Sequence, residues 1–230
     1  MNNIHYDFII VGTGPAGLTL ATLLCDKYRI LMIEKNNYLG GNNGVIRGPN
    51  NTFQEHSPRI QSSAYLNFQT ILNKMHLNFD DLFTYYRLPA ADTLPFVNHL
   101  SVKTLLKFTL AFIIFLFNPN YGNNIPLIDI TDGSENEIKF LSKLVRLIDG
   151  GNVTNTRLNQ ILQVSNQNML YQFFQPKETT DTGLFRKWSK YLSDKGVEIK
   201  LNEEITNINN LPYSYDKLVL AIPPVALSKL

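Results

Sequence analysis

The stretch YDFIIVGTGPAGLTLATLL, Tyr6 to Leu24, decides how the chain begins to fold. Asp7 to Val11 is a short apolar run of the length expected for a strand buried on both faces. Leu18 to Leu24 continues as a mostly apolar helix, and Gly12, Gly14 and Gly17 between them read G-x-G-x-x-G. Each glycine serves a different physical need. The first permits a tight turn, the second lets the backbone approach a pyrophosphate, and the third lets helix and strand pack closely. Free amides at the helix N-terminus, with the helix dipole, suit phosphate groups. Ala21 keeps the next helical turn small against the sheet.

Working outward, a second strand RILMIE ends at Glu34, seventeen residues after Gly17. An acidic residue near that position can accept hydrogen bonds from adenosine ribose hydroxyls. A Gly-rich turn with a surface Glu is the plain alternative, but strand, helix, strand and acid all fall in register for a βαβ unit that binds a dinucleotide. Glu34 disfavours a ribose 2′-phosphate through like-charge repulsion, which the adjacent Lys35 softens. Further on, EKNNYLGGNNG places Gly40 and Gly41 after the second strand, and FQEHSPRI follows from Phe53.

With these motifs the sequence resembles the flavoprotein family of amine oxidases and phytoene desaturases. Members typically read G-x-G-x-x-G, a Glu at the strand end, a Gly-Gly pair, then an acidic residue shortly before a segment lining the flavin. Simple NAD dehydrogenases lack the second glycine pair, so the resemblance implies FAD over NAD. It also implies an α/β fold: a discontinuous Rossmann-like FAD-binding domain with an inserted, mostly helical substrate domain. The expected segments are 1–62 and 169–230 for the FAD-binding domain and 63–168 for the insert. The candidate cofactor-binding residues are Gly12, Thr13, Gly14, Pro15, Ala16, Gly17, Glu34, Lys35, Gly41, Asn42, Pro58, Arg59 and Ile205. His56 and Arg59 fall where the resemblance puts the flavin-lining segment. Arg59 there could stabilise negative charge near the reduced ring, or instead pair with Glu55.

Composition is that of a chain with ample core: 230 residues, 44% hydrophobic and 17% charged. A formal net charge of +2, with no basic run, argues against a nucleic-acid partner. His5, His56, His76 and His99 have no metal-ligand spacing, so no metal site is expected. No G-x-S-x-G elbow or carboxylate pair stands out, and no catalytic residue is assigned. Cys25, the only cysteine, lies on the apolar face of the first helix and reads as a core residue. A reducing compartment fits it, and a strand beginning within the first ten residues leaves no room for a signal-type leader. The expected location is therefore intracellular and cytoplasmic. Sequons at Asn50 and Asn152 read as products of the high asparagine content.

The middle of the chain carries helical patterns. Tyr65, Phe68, Ile71, Leu72 and Met75 share near-helical spacing. SVKTLLKFTLAFIIFLFNPN holds an apolar run from Phe108 to Phe117, broken only by Thr109 and shorter than the roughly twenty residues a membrane span needs. It reads as a buried helix or tunnel wall suited to lipophilic substrates, with monotopic membrane contact as the alternative. Ser134 and Glu137 form a capping-box pattern for a helix stopping at Gly150 and Gly151. After that, Leu184, Trp188 and Leu192 share one helical face, with Asp181 a candidate cap and Gly196 a stop. VEIKLNEEITNI reads as an alternating strand or pair of strands, and YDKLVLAIPPVALSKL as a buried strand with a Pro-Pro break.

The last third renews the resemblance. Leu192 to Ile199 matches L-x-x-x-G-V-x-I, Ala221 to Pro224 lies in a V-x-A-x-P-P phrase, and Ile205 falls at the adenine-facing position. The PKETTD run before the helix looks nearest the desaturase branch. Two departures bear on function. Family chains continue past the A-x-P-P segment to a glycine-rich motif touching the flavin ring, whereas this sequence stops at Leu230. Asn42 stands where many relatives have Arg, and Gly-Gly-Asn resembles UDP-galactopyranose mutases. Three readings follow: an FAD-dependent oxidoreductase moving hydride from an amine or lipophilic small-molecule substrate to flavin; an FAD-dependent mutase; or a non-catalytic nucleotide-binding module, or half of a split enzyme completed by a second chain. The first is the main expectation. On the abrupt end, the expectation is that the adenine half binds while turnover needs the missing motif.

Overall fold

The computed structural model describes residues 4–55, 60–86, 99–170, 172–228 and 230. In chain order the first elements are β1 (His5–Val11), α1 (Pro15–Leu24), β2 (Ile30–Ile33), β3 (Val45–Arg47), β4 (Phe53–Glu55) and β5 (Gln61–Ser62). Next come α2 (Leu66–Lys74), α3 (Phe79–Leu82), β6 (Phe83–Tyr86), α4 (Val102–Phe117), α5 (Glu135–Asp149) and α6 (Leu158–Leu170). The chain closes with β7 (Phe173–Pro176), α7 (Arg186–Asp194), β8 (Glu198–Lys200), β9 (Ser214–Leu220) and α8 (Pro224–Leu227). Two compact units result: Met1–Gln61 with Tyr65–Tyr85 and Phe174–Leu230, and Ser62–Ala64 with Tyr86–Phe173.

The first unit is α/β, built on a four-stranded parallel sheet of order β8-β2-β1-β9. Phe8 lies opposite Ile30 and Val11 opposite Ile33, while Ile9 faces Leu218 on the other side. Every residue of β2 is buried, which explains its unbroken apolar reading. One sheet face, with Ile10, Ile30 and Met32, packs on Leu18 and Ala21 of α1, Leu72 of α2, and Trp188 and Leu192 of α7. Ile9, Leu31 and Ile33 form the other face, where Ile205 also packs. Trp188 is buried, and its indole N–H donates to Thr22 Oγ1 at 2.7 Å, so its polar edge is satisfied. Two smaller sheets complete the strands: the antiparallel pair β3-β4 and a set of order β5-β7-β6.

Residues 65–85, which the expected boundary at 62/63 assigns to the insert, lie in the first unit. Ile71, Leu72 and Met75 of that segment share the core of Ile10 and Leu18, because α2 covers the sheet beside α1. VEIKLNEEITNI forms only the short strand β8, since the polar Asn202 takes a positive φ of 57° and ends the ladder. Asp181 does not cap α7; its carboxylate pairs with Arg47, and Asp181–Phe185 is a π-helical turn running into the helix.

The second unit is helical, with α4 joined to α6 and to a 3-10 turn at Leu127–Ile130 through Ala111, Phe115, Leu127, Leu158 and Leu162. Ser134 caps α5 by accepting from the Glu137 amide at 3.4 Å, and Gly150 ends it with a φ of 72°. Only half of the expected reciprocal box forms. The Glu137 carboxylate turns inward instead and accepts from the Ser101 and Asp132 amides and the Thr104 hydroxyl. That buried carboxylate thus ties the start of α4 to the start of α5.

Helix α4 differs from the fully buried helix expected. Thr104, Ala111 and Phe115 face inward, but Val102, Leu106, Leu110, Ile113, Leu116 and Phe117 are exposed, Phe117 at 87%. Among the described residues, no helix is long and apolar enough to cross a membrane.

Candidate functional site

The turn between β1 and α1 is shaped by glycines that are there for different reasons. Gly12 has a φ of 100°, and a Cβ on it would stand 2.5 Å from the Ala221 carbonyl oxygen. Ala221 is held there because its amide donates to the Val11 carbonyl at 2.8 Å, extending the β1–β9 ladder. A Cβ on Gly17 would run into the Gly12 carbonyl, so helix and turn meet at van der Waals distance only without one. Gly14 is the exception: its φ of −67° and ψ of 173° suit any residue, and a Cβ there would meet nothing within 4 Å.

Gly14 is the N-cap of α1 and supplies no side-chain cap, and no acidic residue sits in the first turn. Pro15 and Ala16 are exposed beside it. Pro15 has no N–H, and the amides of Ala16 and Gly17 precede the first helical carbonyl they could reach. Those donors and the positive helix end therefore face the open space beside Gly14.

The second glycine pair comes to the same place. Gly40, at a φ of 104°, donates its amide to the Thr13 carbonyl at 2.9 Å. Gly41 lies so close that a Cβ on it would sit 3.2 Å from Gly14 Cα. It opens the 3-10 turn Gly41–Asn43, which carries Asn42. The ring of Phe185 fills the space against Gly40, seating the pair on the element leading into α7.

Glu34, at the end of β2, is 6% exposed and fully engaged within the protein. Its Oε2 accepts from the Thr13 amide at 3.0 Å and the Thr13 hydroxyl at 2.8 Å. Its Oε1 accepts from the Asn36 amide at 3.0 Å and the Asn36 side-chain amide at 2.8 Å. Lys35 beside it is exposed. Ile205 lies in the irregular segment after β8, where the Glu203 amide donates to the Glu34 carbonyl and the Asn202 amide to the Asn36 carbonyl. The structure thus gathers Gly12 to Gly17, Glu34, Lys35, Gly41, Asn42 and the Ile205 segment at the carboxyl end of the sheet. Pro58 and Arg59, with His56, lie outside the described residues.

Sequence reasoning missed Asn36 and Ala221. Asparagine two residues after a strand-end carboxylate is a local bonding pattern that could have flagged the first. Ala221 was legible only as part of its A-x-P-P phrase. Behind the site, Glu55 accepts from the amide and hydroxyl of Thr180, and Arg47 makes paired bonds to Asp181 at 2.8 and 2.9 Å. Burial pushes the Asp181 carboxyl up, but hydrogen bonds from Arg47, Thr179 and the Thr182 amide, with the Arg47 charge, together outweigh it and hold it below its ordinary value. Among the described residues, no group of His, Cys, Asp or Glu is placed to hold a metal ion.

Known proteins share the fold. Residues 10–74 match the family described as NAD(P)-binding Rossmann-like domain. Over 40 residues, 17% of this chain and 15% of the relative, the sequence is 52% identical to thiamine thiazole synthase of Aeropyrum pernix. Among solved structures, putrescine oxidase superposes with a TM-score of 0.65 at 13% identity, covering 99% of this chain and 60% of that one. An oxidoreductase from Methanosarcina mazei superposes with a TM-score of 0.62 at 14% identity, covering 89% and 53%. The fold is thus a Rossmann-like dinucleotide-binding fold of the kind found in putrescine oxidase, as the resemblance implied. The chain spans between half and two thirds of the length of these solved structures, and a far smaller part of the thiazole synthase.

Proposed function

We propose that this chain binds FAD, with the pyrophosphate over Gly14, and belongs to an oxidoreductase acting on a small amine or lipophilic substrate. One observation carries the reading: Gly14 has an ordinary backbone conformation and empty space where its Cβ would be. Neither the turn nor the packing calls for glycine there, so the approach of a ligand to the backbone is what excludes a side chain. Helix-end amides then meet the phosphate oxygens, and Gly41 keeps the second loop from crowding them. The Ile205 segment borders the adenosine side of the site.

Bound flavin supplies the redox chemistry, and this chain's residues supply binding and orientation. The amides and dipole at the start of α1 neutralise phosphate charge, while the Gly40–Asn43 loop closes against the turn. Arg59 remains the candidate cation for the ring side of the site, a role any fixed positive charge there could fill.

The test is flavin titration of the purified chain, followed by fluorescence. Wild type binds FAD, whereas Gly14→Val loses binding and keeps its circular dichroism and melting temperature. Equal flavin content in both proteins would sink the reading. Anaerobic bleaching by a panel of amines and polyenes then tests the oxidoreductase assignment against the mutase alternative.

A further inference from the structure

We infer that Thr180 is a positioning residue for the phosphate site: its hydroxyl fixes how closely the Gly40–Asn43 loop stands to Gly14, and so governs binding of the pyrophosphate and not of the adenosine. The inference rests on the dinucleotide reading above. The loop is braced internally, because the Asn43 amide donates to the Gly40 carbonyl at 2.8 Å and the Gly44 amide to the Gly41 carbonyl at 3.0 Å. A turn of that kind shifts as a unit, so the attachments at its two ends decide its place. At the front, the Gly40 amide is bonded to the Thr13 carbonyl of the phosphate turn. At the rear, the Asn43 carbonyl accepts from the Thr180 hydroxyl at 2.9 Å.

Thr180 belongs to the PKETTD run, Pro176 to Asp181, which meets the site from behind. Three successive residues of that run grip the strands flanking the loop. Thr179 and Asp181 hold Arg47 at the end of β3, and Thr180 holds Glu55 at the end of β4 through its amide at 3.0 Å and its hydroxyl at 2.9 Å. The Arg47 clip is partly exposed, so water weakens it. Thr180 is buried, and its hydroxyl proton is shared between the Glu55 carboxylate and the Asn43 carbonyl. Water does not readily replace a donor in such a place. If the hydroxyl goes, Glu55 keeps the Thr180 amide, whereas the Asn43 carbonyl loses this donor and the loop its rear attachment. Gly41 leaves little margin, since a Cβ on it would lie 3.2 Å from Gly14 Cα, and a small shift changes the space for phosphate oxygens. The adenosine side rests instead on Glu34 and the segment after β8, joined through the Glu203 and Asn202 amides.

The experiment titrates ADP by calorimetry and adenosine by ligand-observed NMR, against wild type, Thr180→Val and Thr180→Ser. It also follows hydrogen exchange of the Asn43 and Gly44 amides in the ligand-free proteins. Thr180→Val weakens ADP about tenfold, leaves adenosine within about twofold, and speeds exchange at both amides. Thr180→Ser keeps the hydroxyl and stays within about threefold of wild type for ADP. If Thr180→Val does not fold, Thr180→Ala replaces it, since it removes the hydroxyl without setting a second methyl beside the Glu55 carboxylate. Equal losses of ADP and adenosine would mean that Thr180 acts through the whole unit, and would overturn the inference. Unchanged ADP affinity, or unchanged exchange at Asn43 and Gly44, would overturn it equally. A wild type that binds neither ADP nor adenosine would instead remove the dinucleotide reading, and this inference with it.

Discussion

Gly12 and Gly14, two positions apart, respond differently to the same substitution. Gly12→Ala forces a side chain into left-handed backbone space and onto the Ala221 carbonyl. The conformation alone costs about 1–2 kcal/mol, so chemical denaturation should show a clear loss of stability. Gly14→Ala should leave stability unchanged within about 0.5 kcal/mol while weakening nucleotide binding. A stability loss at Gly14 equal to that at Gly12 would mean the turn itself demands glycine. Tyr6 offers a second test at this scale. Burial first, then its hydrogen bond to Glu198, push its hydroxyl up to about 12. Its raised value contributes stability that is complete below pH 10 and lost as pH rises from 10 through 12, because the unfolded chain ionises first. Tyr6→Phe should abolish that part of the alkaline decline, measured as denaturation midpoint against pH.

Helix α4 shows what an element does when it is apolar all round. A one-faced pattern would fix which residues turn inward, but Val102 to Phe117 contains only Lys103 and Lys107 as charges. Packing against α6 and the Leu127–Ile130 turn chose Ala111 and Phe115 for the core and left Leu106 and Leu110 outside. Phe115→Ala should therefore cost about 3–5 kcal/mol, and Leu110→Glu no more than about 0.5. Urea melts of the two variants distinguish this arrangement from a helix buried on every side, in which both would be severe. Charged clips act on elements more gently. Asp26 receives Lys195 and Lys74, at 2.7 Å each, joining the end of α1 to α2 and the end of α7. These bonds hold its carboxyl down to about 2, so its small contribution is present above about pH 4 and lost as pH falls towards 2.

At the scale of the whole molecule, binding and stability are linked through the first unit, where the phosphate turn lies. A ligand taken up only by the folded state at a hundred times its dissociation constant adds about 2.7 kcal/mol. FAD should raise the melting transition of wild type and fail to do so for Gly14→Val. Phe115→Ala, confined to the core of the second unit, should lower stability without changing the affinity of the folded protein for ADP. A parallel loss of affinity would show that the units are energetically coupled at the site.

What the sequence determined by itself is local. The strand, turn and helix from Tyr6 to Leu24, the acid closing β2, the Gly-Gly loop and the stops at Gly150 and Gly196 follow from backbone sterics and short-range periodicity. These features also sufficed to read a Rossmann-like α/β fold. Tertiary structure decided matters that depend on partners far along the chain. Ala221, more than two hundred residues away, explains why Gly12 bears no side chain. Glu137 forgoes its reciprocal cap: its buried carboxylate accepts from Ser101, Thr104 and Asp132, while the Ser134 amide donates to the Asp132 carboxylate. Tertiary structure also brought Thr13 and Asn36 together on Glu34, because a carboxylate leaving water takes the donors the fold brings to it.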